Sequence, residues 1–313
     1  MSSHEPTLFV KAGEAGNSLI VSLYVNDLIV TGTMLNMIEE FKADMRSEFD
    51  MSDLGEMKYF LGVEVIQNDD GIFLCQRKYA REVLARFKME QCNSVQNPIV
   101  PGSKLTKEDQ NGFVNAREYK QMVGCLMYLA ATRPDLMFII SLVSRFMQNP
   151  TTLHLAAIKR VLRRYIRGTI DWGICYKRGG SDELTAYSDS DYFGDQNSRR
   201  STSGYALFLS NTVITWSSKR QPVVALSTTE AEFIASVACA CQAVWLRRVF
   251  ETIGLPQKQS TVIYCDNMST IMLSKNPVMH KRSKHIDVRF HFLCDLVNDV
   301  VAGLSFASLP ATV

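Results

Sequence analysis

The sequence predicts a mixed α/β chain in which strands and helices flank a helical, basic middle. Three observations carry that expectation. Short β-rich apolar runs cluster at residues 19–32, 59–75 and 184–217. Helical periodicity dominates residues 116–167. Gly179-Gly180 then opens a last third where strands come first and helices alternate with strands afterwards.

Taken in order, residues 19–32 hold two apolar runs flanking Asn26-Asp27, a hairpin pattern with the polar pair at the turn. Met34, Met37, Ile38, Phe41 and Met45 recur at helical spacing. Strands are expected at 59–65 and 71–75, and a helix around 79–87. Pro98, Pro101 and Gly102 mark a linker within residues 92–112. Residues 116–148 read as helices broken at Arg133-Pro134, because proline lacks the donor that continues a helix. Residues 153–167 form the clearest amphipathic helix, with Leu155, Ile158, Val161, Leu162, Tyr165 and Ile166 on one face. Further strands are expected at 184–189, 204–209, 212–217 and 261–266. A helix from 228, helical segments to 299 and a last strand near 304–308 complete a mixed-sheet layer fold.

With 313 residues, 46% of them hydrophobic, the chain suits more than one globular domain and excludes a disordered one. No stretch approaches the ~20 uninterrupted apolar residues of a membrane helix, so no membrane partner is expected. The first six residues, Met1 to Pro6, lack the basic and apolar regions of a signal peptide. Eight cysteines without a CxxC pair, mostly in apolar runs, read as reduced core residues of an intracellular, unsecreted protein.

The net charge of +2 hides an uneven distribution. Residues 1–100 hold 9 basic and 15 acidic residues, whereas residues 101–180 hold 13 and 5. The positive field therefore lies in the middle, where Lys159, Arg160, Arg163, Arg164 and Arg167 line the polar side of the amphipathic helix. Five cations within nine residues repel one another in isolation. They make sense beside phosphates, whose neutralisation gives salt-dependent, sequence-independent affinity. A solvated helical face is the plainer alternative.

Three acids occupy places that suit metal-assisted phosphodiester chemistry, which needs hard oxygen ligands converging from separate elements. Asp189 ends the strand at 184–189, Glu232 lies in the first turns of the helix from 228, and Asp266 ends the strand at 261–266. Glu230, three residues after Ser227, suits a capping box better than a metal. Asp191 and Asp195 read as solvated turn residues.

Several long segments carry a family resemblance. They are Tyr187-Ser-Asp-Ser-Asp-Tyr-Phe-Gly-Asp195, Arg200-Ser-Thr-Ser-Gly-Tyr205, Trp216-Ser-Ser-Lys-Arg-Gln-Pro-Val-Val-Ala-Leu-Ser-Thr-Thr-Glu-Ala-Glu232 and Arg282-Ser-Lys-His-Ile-Asp-Val-Arg289. In this order they resemble the Pol polyprotein of copia-type LTR retrotransposons. The resemblance implies a ribonuclease H-like domain at 181–313 that cuts the RNA strand of RNA–DNA hybrids. Its metal ligands would be Asp189, Glu232 and Asp266, holding Mg²⁺ with Mn²⁺ as a substitute. Tyr24-Val-Asn-Asp27 is similar to the family's Tyr-Val-Asp-Asp polymerase hairpin. Residues 1–95 would then be a partial reverse-transcriptase palm, and 96–178 a helical, basic thumb and connection region that includes Ala131-Thr-Arg-Pro-Asp135. The basic helix would track a hybrid or template–primer backbone.

The chain departs from that pattern in three ways. Asn26 stands where the family has aspartate, and a neutral amide is a much weaker Mg²⁺ ligand than a carboxylate. The fingers and the early palm strand with a further aspartate are not found before Met1, so no polymerase activity is expected. The family's Ala-Asp-x-x-Thr-Lys segment, with a fourth acidic ligand, is not found in the last residues, so the expected ribonuclease H site is weakened. Asp287 is not expected to rescue it. The competing expectation is a remnant that binds nucleic acid without cutting it. His280, His285, His291 and Cys294 can be drawn as a zinc set, but their spacing suits one helix face poorly.

Overall fold

The computed structural model describes residues 4–90, 93–100, 102–103, 105–107, 112–275 and 302–306. Three sheets organise them. The first is an antiparallel meander of β1 (Leu8–Ala12), β2 (Ser18–Tyr24) and β3 (Asp27–Gly32), followed by α1 (Leu35–Glu48). The hairpin lies where the sequence places it, but its turn residues are Val25-Asn26, and Asp27 already pairs with Tyr24 in the ladder. Val25 takes a left-handed φ of 54°, an uncommon and strained state for a β-branched residue.

The second sheet joins β4 (Tyr59–Phe60), β5 (Val63–Asn68), β6 (Gly71–Cys75) and β7 (Gly173–Lys177) in that order. The expected strand at 59–65 is broken because Leu61 and Gly62 both adopt positive φ, folding β4 back on β5. A Cβ at Gly62 would collide with the Tyr128 hydroxyl, which donates to the Leu61 carbonyl. Gly62→Ala should therefore lower stability by about 2 kcal/mol or more, read as a lower urea midpoint at unchanged slope. β7 was not legible beforehand: it returns from the far end of the helical region and pairs along β6.

The helical middle contains α2 (Arg77–Arg86), α3 (Ala116–Leu129), α4 (Met137–Val143) and α5 (Thr152–Arg160). Asn115 caps α3 by accepting from the Arg117 and Glu118 amides, and Pro134 opens a 3₁₀ turn at the expected break. Tyr119, Met122, Leu126, Leu136, Ile139, Ile158, Leu162 and Ile166 fill one core. The expected single helix at 153–167 is α-helical only to Arg160 and then widens into a π-helical stretch, Val161–Ile166. That stretch keeps Val161, Leu162, Tyr165 and Ile166 buried.

The third sheet has the order β10-β9-β8-β11-β12. Its strands are β8 (Leu184–Ser190), β9 (Thr202–Leu209), β10 (Thr212–Arg220), β11 (Thr261–Cys265) and β12 (Ala302–Phe306). β8, β9 and β10 are antiparallel, while β11 runs parallel to both β8 and β12, giving the expected mixed, ribonuclease H-like sheet. α6 (Thr228–Thr252) crosses it, packing Phe233, Cys239, Ala240 and Ala243 on Leu184, Ala186, Leu207 and Ile263; α7 (Met268–Lys275) follows β11. By length and composition α6 could cross a membrane. Its buried residues, Glu232 included, instead identify it as the core helix of this layer. The helical segments expected from 276 to 299, with His280, His285, Asp287, His291 and Cys294, lie outside the described residues.

Candidate functional site

β11 pairs with β8 so that Val262, Ile263 and Tyr264 face Thr185, Ala186 and Tyr187. Continuing that register sets Asp266 beside Asp189 at the carboxyl ends of the two strands. Strand alternation puts Asp189 on the face of Tyr187 and Asp266 on the face of Tyr264. Those two rings stack at 4.9 Å.

Glu232 arrives from α6. Ser227 caps the helix by accepting from the Glu230 amide at 3.1 Å, and Glu230 accepts from the Leu226 amide at 2.8 Å. The expected capping box is thus only half formed, because Glu230 reaches the amide before the cap and not that of Ser227, and Glu232, half a turn on, is buried against the sheet. Its Oε1 accepts from the Ser190 amide at 2.9 Å and the Ser190 hydroxyl at 3.2 Å. One turn later, the Ser236 and Ser188 hydroxyls meet at 3.1 Å and fix the helix over β8. The structure therefore brings all three expected acids to one end of the sheet. Among the described residues Glu232 and Asp266 group with a residue that sequence reasoning missed, Cys265, their donor atoms all within 4.8 Å of one another.

The electrostatics follow from this crowding. Burial pushes the Glu232 carboxyl up to about 7, and the charges of Asp189 and Asp266 add to the effect against the Ser190 amide. Asp189 is exposed by surface area, yet the atoms packed around its carboxyl raise its pKa, with further contributions from Asp266 and Asp191. Burial pushes the Cys265 thiol up to about 11, so at neutral pH it stays protonated and directs a weak S–H contact to Glu232 Oε2 at 3.9 Å. Cys265 belongs to the inward face of β11. Only the packing of α6 on this face shows that it brings Cys265 to Glu232.

Asp195 corrects an expectation. It is no solvated turn residue: its side chain is 3% exposed and accepts from Arg220 at 2.7 Å, with Arg145 at 3.5 Å. The Asn197 and Ser198 amides also donate to it. Burial alone would raise its pKa, but these donors outweigh burial and hold the carboxyl at about 2. Arg145, which follows α4, also donates to Thr202 at 2.8 Å, so this network ties the helical middle to the strand end beside Asp189. Asp191 accepts from the Thr202 amide at 2.6 Å and closes the same loop.

The other two sets of expected residues lie apart from the carboxylates along the chain. Tyr24, Val25, Asn26 and Asp27 are exposed at the tip of the first hairpin, where Tyr24 meets Phe60 of β4 edge-on. Of the five basic residues, Lys159, Arg163, Arg164 and Arg167 are exposed and Arg160 is half-buried. Two of them also hold the preceding segment: Arg160 donates to the Asn97 carbonyl and Arg167 to that of Glu90. Their role is thus partly structural, which no charge pattern could reveal.

The family described as reverse transcriptase (RNA-dependent DNA polymerase) matches residues 1–101. The Retrovirus-related Pol polyprotein from transposon TNT 1-94 of Nicotiana tabacum is 39% identical over 305 residues, 94% of this chain and 23% of that polyprotein. This chain therefore spans under a quarter of the length of that relative. A putative transposon Ty5-1 protein of Saccharomyces cerevisiae is 30% identical over 70% of this chain and 71% of its own length. Among solved structures, the foamy viral protease-reverse transcriptase dRH in complex with ds DNA shares the fold. Its TM-score is 0.53 at 13% identity, over 94% of this chain and 47% of that one. With this family match and these identities to transposon Pol proteins, the chain belongs to the copia-type retrotransposon Pol family.

Proposed function

We propose that the C-terminal layer cuts the RNA strand of RNA–DNA hybrids with Mg²⁺, or Mn²⁺ in its place, held by Asp189, Glu232 and Asp266. The observation that carries this reading is that Glu232 and Asp266 hold donor atoms within 4.8 Å of each other, while Asp189, set beside Asp266 by the register of β8 and β11, interacts electrostatically with both. The donor set fits the ion. Crowded acids, one of them buried, are unfavourable together and become favourable around a hard divalent cation. Mg²⁺ is a hard cation and favours these carboxylate oxygens over the neighbouring Cys265 sulfur. When bound, such an ion supplies an activated water and polarises the scissile phosphate. Ser190 orients Glu232, the Arg145–Asp195–Arg220 network fixes the loop beyond Asp189, and the exposed cations of residues 159–167 hold phosphates of a hybrid or template–primer. The Tyr24–Asp27 hairpin extends no primer, because Asn26 leaves Asp27 as its sole carboxylate. The reading keeps the intracellular setting expected from the cysteine pattern.

A hybrid with a recessed DNA primer and all four deoxynucleotides tests both halves together. The RNA strand should shorten only with added Mg²⁺ or Mn²⁺ and stop on chelation, while the primer keeps its length. Primer extension, or cleavage indifferent to chelation, would overturn the reading. The ion should also act on stability with a defined sign. Glu232 is protonated well below its folded-state value of about 7, so millimolar Mg²⁺ should raise the melting temperature more at about pH 8 than at about pH 5. An Asp189→Asn variant should lose most of that rise.

A further inference from the structure

Trp172, at the entry to β7, is 53% exposed, an unusual placement for an indole. Its position is rigidly built. Arg133 is buried and forks onto Asp135 at 2.9 and 2.7 Å, and it donates to the Thr169 carbonyl at 2.9 Å and hydroxyl at 2.7 Å. The Trp172 amide donates to that same Thr169 carbonyl at 3.0 Å. The Arg133 guanidinium lies 5.5 Å from the centroids of both Tyr165 and Trp172. Tyr165, held by its hydroxyl on Asp135 at 2.9 Å, meets the indole edge-on at 6.2 Å. The motif Ala131-Thr-Arg-Pro-Asp135 thus ties the indole to the end of the π-helical stretch. Tyr165 sits in the chain between Arg164 and Arg167, both exposed, in a segment with 13 basic and 5 acidic residues.

A fixed, exposed aromatic ring packed on a residue of the basic segment is an arrangement on which unpaired bases can stack while that segment neutralises their phosphates. We infer that the exposed face of Trp172 is a stacking platform for an unpaired base of a single-stranded nucleic acid whose phosphates follow the Lys159–Arg167 face. The platform rests on the nucleic-acid reading above but adds a separate contact, specific to unpaired bases. Duplex bases are already stacked and cannot use it.

Binding of oligothymidine, and of a blunt duplex, to the full chain across a salt series separates the two. Trp172→Ala should weaken oligothymidine binding by about 5- to 100-fold without changing the salt slope, because stacking releases no counterions. Duplex affinity should stay as in the parent, and Trp172→Phe should recover most of the loss. Oligothymidine should also quench tryptophan fluorescence in the parent and not in Trp172→Phe, a readout that does not depend on the alanine variant folding. Parent-like oligothymidine binding by Trp172→Ala would overturn the platform. If the Arg163→Glu, Arg164→Glu variant then still lost affinity and slope, the basic-helix reading would stand. A flattened slope or an equal loss for duplex in Trp172→Ala would show that the indole only supports the helix. Absence of any binding by the parent would overturn both.

Discussion

Glu232→Gln is expected to abolish hybrid cleavage and at the same time to make the metal-free protein more stable. Second-shell changes around metals commonly lower activity 10–100-fold, so loss of a direct ligand should lower it by at least about 100-fold. The opposite sign for stability follows from burial. The folded carboxyl titrates at about 7 against an ordinary value of 4.5, so the native state binds more protons than the unfolded chain between those values. Stability is therefore fully present at acid pH and falls as pH rises through that window. By about pH 8 the ionised side chain costs about 3 kcal/mol, which a neutral amide avoids while still accepting from Ser190. Urea unfolding without divalent ions should show Glu232→Gln gaining about 1–3 kcal/mol at about pH 8 and nothing at about pH 4. A loss at both would mean that the carboxylate is a structural anchor.

The second large effect concerns Asp195. Asp195→Ala removes the carboxylate shared by two guanidinium groups, one of them on Arg145, whose side chain is 8% exposed. Stranding a buried cation costs about 3–5 kcal/mol. Because Arg145 belongs to the helical middle and Arg220 to β10, the loss should also weaken their coupling. Calorimetry should show the single transition broadening or dividing into two. Asp195 holds its proton only below about 2, against an ordinary value of 3.8. The network therefore contributes about 2 kcal/mol above roughly pH 4, lost as pH falls through about 2. Asp195→Ala should remove that part of the acid dependence.

Much of this was legible in the sequence because local chemistry carries it. β-rich apolar runs and the serine at 227 placed β8, β11 and α6, and the family resemblance singled out the three acids at their ends. The proline at 134 marked the break between α3 and α4. What escaped was non-local. Cys265 and Asp195 owe their roles to a parallel register and to arginines 50 and 25 positions away along the chain. β7 was hidden because five residues, Gly173–Lys177, become a strand only when β6 is there to pair with them. The turn of the first hairpin shifted by one because β-branched Val25 takes the positive φ that composition assigns to asparagine. The π-helical stretch at Val161–Ile166 keeps an apolar pattern that fits an α-helix equally well, so periodicity could not separate them.

Whether Asp189, Glu232 and Asp266 form a hydrolytic site, even a weakened one, is decided by single-turnover cleavage of a hybrid labelled on its RNA strand, in Mg²⁺ and in Mn²⁺, by the full chain and by Asp189→Asn purified alongside. RNA-strand products should come from the parent and be absent from the variant, with both proteins holding the hybrid at similar affinity. A hybrid bound by both and cut by neither, or cut equally by both, would contradict such a site.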